Sequence, residues 1–354
     1  MNSDERSYFG DGAVQELAVK QPPAARGSEV PTTVPEAEKS WSGWGRAASV
    51  LGLAGVAAIA AAAAKKDSLS DTRSAREERT VGLGSGRSLH AVTAGSGQDI
   101  VLVHGAFATH RDWLDGPFEA LAELGRVTAI DRPGHGLSRR LRFEGGPRAH
   151  AAHIAEGLRA IGVVRPLLVA HSFGALSALS LAECFPAEVA GLILIAPLAF
   201  PEFRPFEHAL FAPRALPFAG PLLANMAPAF DRPMLEAHHR IMFSPDQPPK
   251  TWKANYPWDQ ILAPASIVAN GEDFSAVHPW RLDSYVRIDR VRAPVEVLSG
   301  TADLIIEDLR QGRSLADRLP KAAVTRLEGV GHMLHHSRPD ALIDAVRAML
   351  QRHP

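Results

Sequence analysis

From about Thr80 onward the chain alternates short apolar runs with helix-length stretches, and this rhythm narrows the possible folds more than any other feature. Ile100–Val103, Val127–Ile130, Leu167–Ala170, Leu192–Ala196, Val295–Leu298 and Val324–Leu327 are short and are bounded by Gly, Pro or Asp, as buried strands are. Phe118–Leu124, Ala149–Ile161 and Ala175–Phe185 read as helices between them. Strands that alternate with helices imply a parallel sheet covered on both faces. Ser88–Thr93 instead alternates apolar and polar side chains behind the turn Gly82-Leu83-Gly84-Ser85-Gly86, which predicts an antiparallel edge hairpin. That turn lacks the strand before it and the helix after it that phosphate binding would need. The expected fold is α/β, with a mostly parallel central sheet flanked by helices.

The rhythm breaks between Leu198 and about Val291, where the chain is rich in Pro, Phe, Met and Trp and has no convincing buried strand. Residues 198–290 therefore read as a helical cap or lid inserted after the sixth strand, within a core formed by 80–197 and 291–354. Ahead of the core, residues 1–46 carry scattered charges and prolines without apolar periodicity, the composition of a disordered tail. Residues 47–64 are free of charge and mostly alanine, with Arg46 before them and Lys65-Lys66 after. This run is at the short end of what spans a bilayer and predicts an apolar helix that could anchor the chain in a membrane. The denser Lys and Arg that follow would leave the core on the cytoplasmic side. Residues 65–79 are the linker, and the alternative is a soluble cytoplasmic protein. Net charge is −1, which gives no electrostatic reason to expect a nucleic-acid partner. The one cysteine, Cys184, excludes an internal disulfide and reads as a buried packing residue. No His, Cys, Asp or Glu cluster has zinc-like spacing, and His238-His239 reads as a helix-surface pair. Neither a metal nor an organic cofactor is expected.

Chemistry enters at Leu167-Leu168-Val169-Ala170-His171-Ser172-Phe173-Gly174-Ala175, a strand running into a helix with serine at the turn. A serine lifted clear on so sharp a turn crowds the adjoining backbones, so the positions two before and two after it must be small. The stretch resembles the nucleophile elbow of the α/β-hydrolase superfamily, usually G-x-S-x-G, with Ala170 in place of the first glycine. A serine hydroxyl needs a base to accept its proton. His332, in Gly329-Val330-Gly331-His332 just after the last predicted strand, resembles the family's histidine loop, with His335 and His336 as alternatives. Asp303, just past the strand Val295–Leu298, is the expected carboxylate, with Glu307 and Asp308 as alternatives. The chain order Ser, Asp, His is the one that this family uses.

The resemblance implies further roles. Val101-Leu102-Val103-His104-Gly105-Ala106-Phe107 looks like the family's His-Gly loop, so the backbone N–H groups of Ala106 and Phe173 would form the oxyanion hole. His104 reads as a hydrogen-bonding brace for that loop. Asp131-Arg132-Pro133-Gly134-His135-Gly136-Leu137-Ser138 also matches a stretch common in the family and reads as turn chemistry. The resemblance covers roughly Thr80 to the C-terminus. It implies a serine hydrolase that cleaves a carboxylic ester or similar acyl bond of a small, apolar substrate. Phe200, Phe203, Phe206, Phe211, Phe218, Phe230, Met226 and Met242 are candidates for the acyl pocket. An alternative is a carbon–carbon bond hydrolase acting on anionic ring-cleavage products, for which Arg204, Arg214 and Arg232 are candidate contacts. Relatives that open epoxides carry aspartate at the elbow, where this chain has Ser172. A membrane-tethered binding protein without turnover is the rival from another class.

Overall fold

The computed structural model describes residues 75–353 apart from 280, 282–284 and 320. The tail 1–46, the apolar run 47–64 with its expected anchor, and the first part of the linker lie outside the described residues. Among those described, no helix is long and apolar enough to cross a membrane.

The apolar runs form one sheet. Its strands are β1 (Glu77–Gly82), β2 (Ser88–Ala94), β3 (Asp99–Val103), β4 (Arg126–Ile130), β5 (Leu167–His171), β6 (Gly191–Ile195), β7 (Val295–Gly300) and β8 (Ala322–Leu327). They lie in the order β1-β2-β4-β3-β5-β6-β7-β8. Pairing is antiparallel from β1 to β2 and from β2 to β4, and parallel across the rest. The core starts at Glu77 instead of Thr80. Glu77, Glu78 and Arg79 are exposed on the edge strand, which hides it from an apolar pattern and blunts the edge against further pairing.

Alternation along β5 fills both faces. Leu168 and Ala170 pack on one side with α2 (Pro147–Ala160) and α3 (Gly174–Cys184), whereas Leu167 and Val169 pack on the other. The second face is covered by the short helix Phe118–Ala122 and by the C-terminal helix Pro339–Arg352, through Phe118, Leu121, Leu342 and Val346. Cys184 is exposed, not buried as its neighbours suggested. It is the last residue of α3, and Glu183 is the one turned inward, where it pairs with Arg148 and accepts from the backbone N–H of Arg287.

After β6 the chain leaves the sheet for a helical insertion and returns at β7. It comprises α4 (Pro205–Phe211), α5 (Ala219–Asn225), α6 (Ala227–Phe243), α7 (Lys250–Asn255), α8 (Trp258–Ile261) and α9 (Pro264–Ala276). Phe211, Leu235, Phe243, Trp252, Ile267 and Phe274 give it a core of its own, which Phe107 and Met333 of the sheet layer enter.

Buried charge also fastens α9. Asp273, 1% exposed, accepts from Arg132 Nη1 at 2.8 Å, Arg140 Nη1 at 2.7 Å and His135 Nε2 at 2.9 Å. Arg132 is itself fully buried. Desolvation costs several kcal/mol per ion, so the pair tolerates no loss of one partner. Asp273→Asn leaves Arg132 uncompensated and is expected to lower unfolding free energy by about 3–5 kcal/mol in a denaturant titration.

Candidate active site

Ser172 occupies the turn between β5 and α3 in the left-handed region, with φ of +51°. Such a conformation costs a non-glycine residue on the order of 1–3 kcal/mol and persists only where its surroundings hold it. Here the Ser172 N–H donates to Ile195 O at 2.9 Å, and its carbonyl accepts from the Leu198 N–H at 3.1 Å. Gly174 shows why the following position must be small, because a Cβ there would lie 2.6 Å from His104 O. Ala170 is fully buried in the strand and fits with its methyl group.

The loops after β7 and β8 bring Asp303 and His332 together. His332 Nδ1 donates to Asp303 Oδ2 at 2.8 Å, and both side chains are buried. Asp303 Oδ1 accepts the backbone N–H groups of Ile305 and Ile306 at 2.7 and 2.9 Å, which fixes the carboxylate. With Nδ1–H committed to Asp303, Nε2 carries the lone pair. His332 and Ser172 line one pocket, together with Ala106 and Phe173. All five expected site residues therefore lie at this rim, beyond the carboxyl ends of parallel strands where open α/β sheets bind ligands.

The alternatives are engaged elsewhere. His335 and His336 each donate through Nε2 to Asp112 at 2.9 Å, and Asp308 pairs with Arg326 at 2.6 Å. Burial outweighs the attraction of Asp112 and lowers the His335 pKa to about 4. His171, next to the elbow serine, is also pushed well below the ordinary value by burial. Its Nε2 donates to the backbone carbonyl of His332 at 3.2 Å, which ties the histidine loop to the elbow.

The His-Gly loop is held from both layers. His104 Nδ1 donates to Gly105 O at 2.8 Å, and its Nε2 accepts the Arg132 N–H at 2.9 Å. Phe107, at φ +50°, gives its carbonyl to Tyr256 Oη at 2.6 Å, and its N–H points to Asn270 Oδ1 at 3.5 Å. Arg132 donates to Gly105 O at 3.2 Å and stacks over the Phe173 ring at 4.8 Å. Asp131 accepts from the N–H groups of His110 and Leu137, and Gly134 and Gly136 have positive φ, as turn chemistry requires. Asp273, Asn270 and Tyr256 left no signal in the sequence. They reach this loop only because the insertion folds back over it.

The pocket encloses about 40 Å³, room for a few waters. Its apolar lining includes Phe107, Phe173, Leu198, Met242, Phe274 and Ile305. Of the candidate acyl-pocket residues, Met242 alone is in this lining. Phe211 is buried inside the insertion, Phe200 packs against the sheet core, and Phe203, Phe218, Met226 and Phe230 are exposed. The side chain of Phe206 lies outside the description. Arg204 does reach the pocket but is held by Glu202, Glu207 and Ile305 O, whereas Arg214 is buried against Asp231 and Arg232 lies on the surface beside Glu236. His238-His239 is not a surface pair. His238 lines the pocket, and His239 is buried among Trp252, Tyr256 and Trp258, because α6 turns that face inward.

Two side-chain groups, His90–His110–Asp131 and Asp112–His171–His335, bring potential metal ligands within 4.8 Å of one another. Their members are far apart in sequence, so spacing could not reveal them. In both, hydrogen bonds already engage the carboxylate.

Residues 100–345 match the model of the Alpha/beta hydrolase family, and the chain belongs to that family. An uncharacterised protein of Mycobacterium tuberculosis is 26% identical over 269 residues, covering 73% of this chain and 76% of that protein. Among solved structures, an epoxide hydrolase matches with a TM-score of 0.64 and 22% identity, covering 78% of this chain and 99% of the other. An esterase from Exiguobacterium antarcticum matches with a TM-score of 0.63 and 17% identity, covering 78% and 100%. These likenesses are in fold. Family and fold together make the chain a hydrolase.

Buried neutral histidines make stability depend on pH. Burial lowers His135 and His335 to about 4 and His150 and His239 to about 3. In the unfolded chain each returns to the ordinary value near 6.5. Below that pH the unfolded state binds protons that the folded state refuses, so stability is complete above about pH 6.5 and falls towards pH 4. Asp112 and Asp273, held well below the usual carboxylate range chiefly by His335 and Arg140 against the opposing effect of burial, stay ionised across this window. Urea midpoints are expected to be level above pH 7 and to drop steeply between pH 6.5 and 4.5.

Proposed function

We propose that this hydrolase cleaves a carboxylic ester, or a similar acyl bond, through a Ser-His-Asp triad and an acyl-enzyme. Ser172 attacks the carbonyl carbon as His332 Nε2 takes its proton, and Asp303 stabilises the imidazolium. The N–H groups of Ala106 and Phe173 receive the oxyanion. His332 then protonates the leaving alcohol, and water repeats the sequence on the acyl-serine. The observation that carries this reading is the strained Ser172 sharing one pocket with the buried His332–Asp303 pair. Serine at the elbow separates the chain from epoxide-opening relatives, which need a carboxylate there.

The pocket also supports a neutral substrate. Arg204 is the cation nearest an incoming acyl group, but it lies between Glu202 and Glu207, so the cluster carries net negative charge. An anionic ring-cleavage product would meet repulsion there, which weighs against the carbon–carbon hydrolase reading. The insertion acts as a cap, and with about 40 Å³ enclosed it must shift before a substrate enters. Its weakly covered helices α4–α6 are the part free to do so, since α9 is fixed by Asp273.

Fluorophosphonate labelling of wild type and Ser172→Ala tests the nucleophile. The variant is expected to lose all labelling while keeping its fold, and no labelling of folded wild type would favour a binding protein instead. Asp303→Asn is expected to lower kcat by about ten-thousand-fold, measured on p-nitrophenyl esters of graded chain length. Neutral esters are expected to turn over faster than dicarboxylate half-esters of equal length, and the reverse order would restore the carbon–carbon reading.

A further inference from the structure

The run Leu216 to Phe230 contains no charged residue, yet most of it faces solvent. Phe218 is 93% exposed, Leu222 68% and Phe230 66%, with Leu216, Leu223 and Met226 also exposed. Helix α5 is turned opposite to an ordinary surface helix. Its small residues, Gly220 and Ala224, face the protein, and its large apolar ones face out. The orientation is fixed, because a Cβ at Gly220 would run into the Arg214 backbone.

A second segment extends the patch. Leu137, Leu141 and Phe143 are exposed on the loop after β4. Arg142 joins the two segments. It lies over the Phe143 ring at 4.8 Å and donates to Ala215 O at 2.9 Å. Leu141, Arg139 and Arg142 border one groove with Pro221 and Asn225 of α5. A protruding apolar surface flanked by arginines has the form that inserts at a membrane interface, with the side chains below the headgroups and the guanidinium groups on their phosphates. Contiguous apolar exposure of this kind marks an interaction site.

We infer that the surface formed by Leu216–Phe230 and Leu137–Phe143 docks on an anionic lipid bilayer. Charge decides between this and the other occupants. A two-fold dimer through the patch would bring the arginines of two copies together. The chain's own apolar run 47–64 is flanked by Arg46, Lys65 and Lys66 and would meet the same repulsion. Anionic headgroups meet none. Helix α6 starts within the patch at Phe230 and ends at the pocket with His238 and Met242, so docking acts on an element that walls the pocket. The inference stands independently of the ester chemistry.

The test uses the full chain with Cys184→Ser, the native cysteine being single. An environment-sensitive fluorophore is placed through Phe218→Cys, and a control through Asp344→Cys on the C-terminal helix. Phosphatidylcholine vesicles with and without phosphatidylglycerol are added, some carrying a spin-labelled lipid quencher. On phosphatidylglycerol-containing vesicles the label at 218 is expected to shift to the blue and to be quenched, and the label at 344 to do neither. Arg139→Gln is expected to weaken partitioning by about fivefold. Three results would each overturn the inference: no vesicle binding, vesicle binding that leaves position 218 in water, or a concentration-dependent shift at 218 without vesicles, the mark of self-association.

Discussion

The left-handed turn at Ser172 is the constraint around which the rim is arranged. Its backbone is held on one side by Ile195 and Leu198, after β6, and on the other by the approach of Gly174 to the end of β3. Three successive parallel strands therefore meet at a single residue. His171, one position earlier, extends the hold to the loop after β8 through the carbonyl of His332. The strain of one residue is thus carried by the whole central sheet, which gives the proposed nucleophile a fixed position without any contribution from its own side chain.

Around this turn the protein buries an unusual density of ionisable groups and keeps most of its histidines neutral. Asp112 is satisfied by His335, His336 and Trp252, and Asp273 by Arg132, Arg140 and His135. Each carboxylate sits between the sheet layer and the insertion. Burial alone would drive both carboxyls towards the neutral form, and hydrogen bonding from several directions reverses that tendency. Arg132 has the widest reach. It touches Asp273 on α9, Gly105 in the His-Gly loop and the Phe173 ring beside the elbow.

Much of this was legible in the sequence, for identifiable reasons. Buried parallel strands read as continuous apolar runs, so β3 to β7 were plain, and the turn residues around Ser172, Asp303 and His332 stand directly after them. The charged edge strand β1 had no such pattern and was placed in the linker. Side chains that act across the insertion were invisible, because Asn270, Tyr256 and Asp273 reach the His-Gly loop through tertiary contact and not through local spacing. The aromatic candidates for the pocket failed on the same ground. Composition identified an apolar segment, but only the packing of Gly220 and Ala224 decided which way Phe218 and Leu222 would face. Cys184 and His239 exchanged their expected environments because a helix's buried face depends on its partner.

The grip of α9 on the core has a consequence for modularity. Insertions in a fold like this one look exchangeable, being attached to the sheet at only two points in the chain. Here the core's Arg132 and Phe107 backbone are left without partners unless the insertion supplies Asp273, Asn270 and Tyr256. A chimera that kept this sheet and borrowed another insertion would have to inherit those three residues in register. Core and insertion are separate in outline, but they form one unit of inheritance.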